Sequence, residues 1–172
     1  MTIRNALIAA GSAIAFSALA GGAFAANTVN ATANASVTVV SATTITKNQD
    51  MVFGTVIRPS GANGNTTFAM DTNGNVVAHN GDGSVVSSTT SPAKFTIASQ
   101  AAITYTLSQT LTFAPAGLIN VAPTTAAAQS GTLGQVPANG SQQIAYGGQF
   151  DVTPTTTPQT YTGSLAVTVT YN

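Results

Sequence analysis

The chain is 172 residues long and nearly uncharged, with four Lys and Arg against four acidic residues, all Asp, one His, no Cys and no Trp. Without clustered Lys or Arg it has no electrostatic footprint for nucleic acid or an anionic membrane surface. Without Cys, neither disulfides nor a lipidated cysteine can staple or anchor it, so a single domain-sized core must suffice.

The first 25 residues read as a secretory leader. Arg4 gives a positive start, residues 6–20 are an apolar run rich in Ala, Leu and Ile, and Ala23-Phe24-Ala25 is a small-x-small cleavage site. Gly11, Ser12 and Ser17 interrupt the run, which is short for a membrane span. Its removal leaves an exported chain that starts at Ala26 or Asn27 and carries no membrane span. The remaining charges are Lys47, Arg58 and Lys94 against Asp50, Asp71, Asp82 and Asp151, a formal −1 (three minus four). Solubility then rests on Thr, Ser, Asn and Gln, a surface with little self-repulsion that suits packing against copies of itself.

Beyond the leader the pattern is all strand. β-branched residues abound, while Gly, Pro and Asn break any helical run. Residues 29–40 alternate, with Val29, Ala31, Ala33, Ala35, Val37 and Val39 on one face and Asn30, Thr32, Asn34, Ser36 and Thr38 on the other. Residues 51–57 form a second strand with Gly54 as a bulge or close-approach point. Residues 66–70 and 75–79 flank Asp71-Thr72-Asn73-Gly74, a hairpin signal. Strands follow at 94–98, 103–107, 111–113 and 118–121, then a turn-rich stretch to Gly140 and a strand over 143–152. Pro154 and Pro158 bracket a Thr-rich turn before the last strand, where Leu165, Val167, Val169 and Tyr171 alternate with small or hydroxylated residues. Many short strands with frequent turns predict a β-sandwich, and no fixed repeat is present.

Chemistry-bearing patterns are nearly absent. His79 is the single histidine and lies on a hairpin arm without a nucleophile beside it, which reads as a surface strand residue. Four scattered aspartates do not make a paired-carboxylate site. No nucleophile elbow, zinc-protease motif or phosphate loop occurs. The chain is therefore not expected to be an enzyme, and no metal or cofactor is expected. Asp71, Asn73 and Asn75 have the opening spacing of a calcium loop, with Asp82 at the twelfth place, but Val76 stands where such loops have Gly. A plain Asn-Gly hairpin turn explains the same residues. Few aromatics argue against a sugar platform, and the Thr-x-Thr pairs are too irregular for an ice-binding lattice.

The two ends suggest a device. Extended residues starting at Val29 span about 30 Å and could add a strand to a groove, with main-chain bonds giving affinity and alternate side chains giving register. The periodicity fits equally a first strand of the protein's own sandwich.

Three segments carry a resemblance: Met51-Val52-Phe53-Gly54-Thr55-Val56, Tyr146-Gly147-Gly148-Gln149-Phe150-Asp151-Val152, and residues 161–172. They resemble a family of secreted bacterial domains labelled as of unknown function, itself similar to spore-coat-U-type and chaperone–usher pilin subunits. The pilin resemblance implies an immunoglobulin-like β-sandwich lacking its last strand. A periplasmic chaperone fills the gap first, and the N-terminal extension of the next subunit then replaces it at an outer-membrane usher. Carried over by position, Val29, Ala31, Ala33, Ala35 and Val37 would be donor residues. Leu165, Val167, Val169 and Tyr171 would line the acceptor and chaperone edge, with the carboxylate of Asn172 as the chaperone's anchor. Two departures stand out: the pilin disulfide is missing, and Gln159 occupies the fourteenth place from the end, where a glycine is usual.

The organisation implied is a leader over 1–25, an N-terminal extension over 26–36 and a pilin-like domain over 37–172. The expected role is a structural subunit of a fimbria-like surface fibre, passing through the periplasm and partnered by copies of itself or related subunits. The alternative is a self-complemented, secreted or surface-associated binding module.

Overall fold

The computed structural model describes residues 29–39, 41–87, 89–100 and 103–171. It divides into two units, Met1–Val37 and Thr38–Asn172. The leader expected over 1–25 lies outside the described residues.

In the first unit the described residues are all exposed and carry no strand. This corrects the strand expected over 29–40. Its alternation is real, but its apolar face is mostly methyl groups, and a lone strand satisfies none of its own backbone groups.

The first strand of the second unit comes later. In chain order the strands are β1 (Thr44–Gln49), β2 (Thr55–Ile57), β3 (Thr66–Met70), β4 (Val76–His79), β5 (Ser84–Ser87), β6 (Ala93–Ala98), β7 (Tyr105–Ala114), β8 (Ile119–Pro123), β9 (Ala127–Ala128), β10 (Ser141–Tyr146), β11 (Gly148–Val152) and β12 (Thr162–Tyr171). No helix occurs among the described residues. One antiparallel sheet has the order β1-β6-β10-β9 and another β4-β3-β11-β8, while β12 pairs with β7 and β2 with β5. None closes into a barrel. The protein is an all-β sandwich, as its sequence predicts.

Two apolar clusters hold the layers. In the first, Phe95 and Ile97 of β6 and Ile144 and Tyr146 of β10 meet Tyr105 of β7, with half-buried Leu165, Val167 and Val169 of β12 packed against them. In the second, Phe68 and Met70 of β3 meet Phe150 and Val152 of β11 and Phe53. The long β7 serves both clusters, sending Tyr105 and Leu107 to one and Phe113 to the other. Residues 105–107 and 111–113, read within two separate strands, belong to this single element, with Ser108 and Thr110 on its solvent face, while Ile103 and Thr104 precede it.

Residues 143–152, read as one strand, are two strands in different sheets. The chain changes sheets at Gly147. A Cβ there would lie 2.0 Å from the Met70 carbonyl oxygen and 2.8 Å from that of Asp71, so only glycine lets the backbones touch at this corner. Gly147 N–H donates to Thr124 Oγ1 at 2.9 Å, and its carbonyl accepts from Thr124 N at 3.1 Å.

The β3–β4 hairpin forms as predicted. Gly74 N–H donates to the Asp71 carbonyl at 3.1 Å, Asp71 N–H donates to Asn75 O at 3.0 Å, and Gly74 takes the required positive φ of 93°. Two polar groups are bound into the sandwich. Gln142 is fully buried; its Oε1 accepts from the Tyr105 hydroxyl, and its Nε2 donates to the carbonyls of Thr132 at 2.8 Å and Ser130 at 3.1 Å. Asp151 accepts from Thr67 Oγ1 at 2.6 Å and Asn120 Nδ2 at 2.5 Å, tying β11 to β3 and β8.

Candidate functional site

β12 has ten residues and pairs with β7 without a break, from Thr162↔Ala114 to Tyr171↔Tyr105. Among the described residues no strand pairs with its other edge. The second edge of β7 is open as well among the described residues, equally long and uncharged, and β1 has β6 as its one ladder partner. The edges differ. β1 carries Lys47 and a register shift between Lys47 and Gln49, both of which blunt an edge. β12 has no charged residue, no proline and no shift.

A groove of about 1130 Å³ opens between them. One wall is Lys47 with residues 49–58; the other is residues 156–161 with the first four residues of β12, Thr162 to Leu165. Phe53, Phe95, Leu111, Phe113 and Phe150 make an apolar floor. Phe53 meets Phe150 edge-on at 4.9 Å between ring centroids and Phe113 at 6.0 Å, and Phe113 meets Phe150 at 5.6 Å. These offset contacts fix the rings and make the floor rigid. Gly54, with φ of 77°, turns the chain between Phe53 and β2 on the wall. At one end Arg58 donates from Nη1 to the Thr156 carbonyl at 3.1 Å, holding the 153–156 turn beside the groove. Lys47 and Asp50 pair at 2.6 Å on the rim with side chains 60% and 73% exposed, a contact that adds little stability.

Of the expected edge residues Leu165, Val167, Val169 and Tyr171, the groove lining includes Leu165. Leu165, Val167 and Val169 point inward, half-buried against the first cluster, so what β12 leaves open is its backbone edge. Tyr171 is 48% exposed, and its hydroxyl donates to the Thr43 carbonyl at 3.1 Å. Asn172 lies outside the described residues. The expected donor residues Val29, Ala31, Ala33, Ala35 and Val37 are all exposed, Val29 and Val37 by 87% and 86%. Sequence reasoning named Leu165 of the groove's lining and missed its floor. The signal was the Met51–Val56 segment, whose Phe53 is the central ring.

The other chemical candidates do not assemble. Asp71 and Asp82 sit at opposite ends of β4 and serve separate turns. Asp71 Oδ1 accepts from the backbone of Asn73 at 2.8 Å and Asn75 at 2.9 Å, and Oδ2 accepts from Asn75 Nδ2 at 2.8 Å. The Asn75 side chain and these N–H groups hold its carboxyl below the ordinary aspartate range. Asp82 accepts from the Ser60 hydroxyl and from Ser60 N at 3.0 Å, and the hydroxyl chiefly lowers its pKa in the same way. The hairpin-turn reading of Asp71 to Asn75 is therefore the one that holds. His79 is exposed opposite Thr67, whose hydroxyl donates to Asp151 instead of the imidazole. Among the described residues no group of three His, Asp or Glu side chains stands in metal-binding proximity. Burial pushes the Tyr146 hydroxyl up to about 12, with Tyr105 adding to it, and this buried oxygen has no hydrogen-bond partner among the described residues.

The site is thus an open ten-residue strand edge, the first four residues of which border an apolar groove. The chain belongs to the DUF4402 family, described as a domain of unknown function, whose model matches residues 43–171, from the residue before β1 to the last residue of β12. No curated protein and no solved structure gives a significant match.

Proposed function

We propose that this protein is a structural subunit of a bacterial surface fibre, of the pilin-like, immunoglobulin-like type that lacks one strand, and that it polymerises by donor-strand exchange without catalysis. The observation that carries the reading is the continuous, uncharged outer edge of β12 above the phenylalanine-floored groove. A second observation supplies the other half of the joint. Residues 29–37 alternate apolar and polar, are exposed, and belong to no strand. Extended, they run about 30 Å against about 33 Å for β12.

In this reading the leader is removed on export, and the segment from Val29 to Val37 of one subunit enters the groove of the next. Its N–H and C=O groups complete a ladder on β12, and its small side chains face the groove floor. The contact is head-to-tail and heterologous, which gives open filaments. A periplasmic chaperone would cover the same edge before assembly, and an usher would mediate the exchange. The low net charge removes the repulsion that would oppose stacking of identical subunits.

The test is the solution size of the chain from Ala26 onward, with and without residues 26–36, measured by light scattering. Oligomers from the longer chain, and a shorter chain that stays folded and binds a peptide of residues 29–39, support the proposal. A longer chain that is monomeric at every concentration, beside a shorter one that binds no peptide, sinks it and leaves the self-complemented binding module.

A further inference from the structure

Resting on the strand-acceptor reading, we infer that Tyr171 is a clasp that closes the gap between β12 and β1 beyond the groove and must be displaced as a strand zips in. The groove is open along only part of β12, since its lining on that strand runs from Thr162 to Leu165. Towards the other end, Val167 and Val169 pack inward on the first cluster. At the end itself the Tyr171 hydroxyl donates to the Thr43 carbonyl at 3.1 Å.

Thr43 is a fixed post. It immediately precedes β1, and its own hydroxyl donates to Ser99 Oγ at 2.6 Å, at the end of β6. The clasp therefore ties the last residue of β12 to the start of β1, across an interval with no ladder. Paired backbones would stand about 4.8 Å apart; here a whole tyrosine side chain bridges the interval. The carbonyl it caps belongs to the edge that an entering strand would border, and the ring lies in that strand's path. Because a half-exposed side chain moves more readily than a buried one, the clasp can open without disturbing the core. Entry then starts over the phenylalanine floor at Leu165 and proceeds towards Tyr171.

The test uses the chain from Ala26 onward at sub-micromolar concentration and a labelled peptide of residues 27–39, with association followed by fluorescence anisotropy. Tyr171→Phe keeps the ring and removes the donor; Tyr171→Ala removes both. The expected result is uptake about fivefold faster in Tyr171→Phe, the size of one neutral hydrogen bond, and faster still in Tyr171→Ala. Tyr171→Phe should melt about 2–4 °C below the parent, because the strand-free chain loses that same hydrogen bond. Peptide uptake at the parent rate in both variants overturns the clasp and leaves the acceptor groove standing. Uptake by none of the three chains overturns the strand-acceptor reading, and the clasp with it.

Discussion

Substituting Gly147 with alanine tests whether the two sheets are joined as described. The added Cβ would lie 2.0 Å from the Met70 carbonyl oxygen, 2.7 Å from its carbon and 2.8 Å from the Asp71 oxygen. All three atoms are backbone, held by the β3–β11 ladder through Gly148↔Met70, so no side chain can swing aside. Relief requires the corner to open, which costs about 3 kcal/mol as an overpacking strain. Gly148→Ala meets Leu111 Cδ2 at 2.7 Å, the tip of a flexible side chain, and should cost about 1–2 kcal/mol. Gly64→Ala meets nothing within 4 Å and suffers only its φ of 78°, about 1 kcal/mol. At roughly 3–4 °C per kcal/mol for a domain of this size, thermal unfolding should rank the three with Gly147→Ala about 10 °C below the parent and Gly64→Ala lowered least. A Gly147→Ala chain as stable as Gly64→Ala would refute the corner.

Gln142→Leu removes the acceptor for the Tyr105 hydroxyl and the donor to Ser130 and Thr132, and should lower the urea midpoint by the equivalent of about 2–4 kcal/mol, with the slope unchanged. Asp71 and Asp82 both titrate below the ordinary 3.8, so their contribution is present above about pH 4 and is lost as pH falls through their folded values. The melting temperature of the parent should therefore drop on acidification below pH 4. Asp71→Asn and Asp82→Asn should each start lower at pH 6 and converge on the parent in acid; parallel curves would contradict the assignment. In the exposed segment, Ala33→Asp should abolish self-association in sedimentation with no change in melting temperature. Ala33→Val adds two methylenes, about 1.6 kcal/mol if they are buried, and should slow dissociation of the oligomer roughly fifteenfold.

How much of this was legible in the sequence depends on what each residue pattern records. The β3–β4 hairpin was readable because Asp71-Thr72-Asn73-Gly74 dictates its own turn. β12 was readable because one face packs and the other is wet. β1 was not: residues 44–48 are exposed on both faces, so no alternation marks them, and only the β-branched Thr44-Ile45-Thr46 hints at a strand. β10 and β11 read as one strand because alternation reports faces and is silent about a change of sheet; the Gly147-Gly148 pair was the visible clue. The groove floor was hidden for a similar reason. Phe53, Phe113 and Phe150 come from three distant segments, and only the folded chain brings their rings within 6.0 Å.

The strongest alternation in the chain, over 29–39, forms no strand, and the flat outer edge of β12 has no partner among the described residues. Either fact alone has a bland explanation: exposed tails are common, and every open sheet has edges. Together they are harder to dismiss. Folded proteins blunt their edges with lysine, proline, bulges or brevity. The sandwich does so at β1 with Lys47 and a register shift, and at β2 and β5 with short strands and another shift. β12 and its partner β7 are each ten residues long with an unbroken register and none of these devices. Flat edges on this pair, in a chain that also carries an exposed segment of similar length and period, support the proposal that a strand is added from outside the subunit.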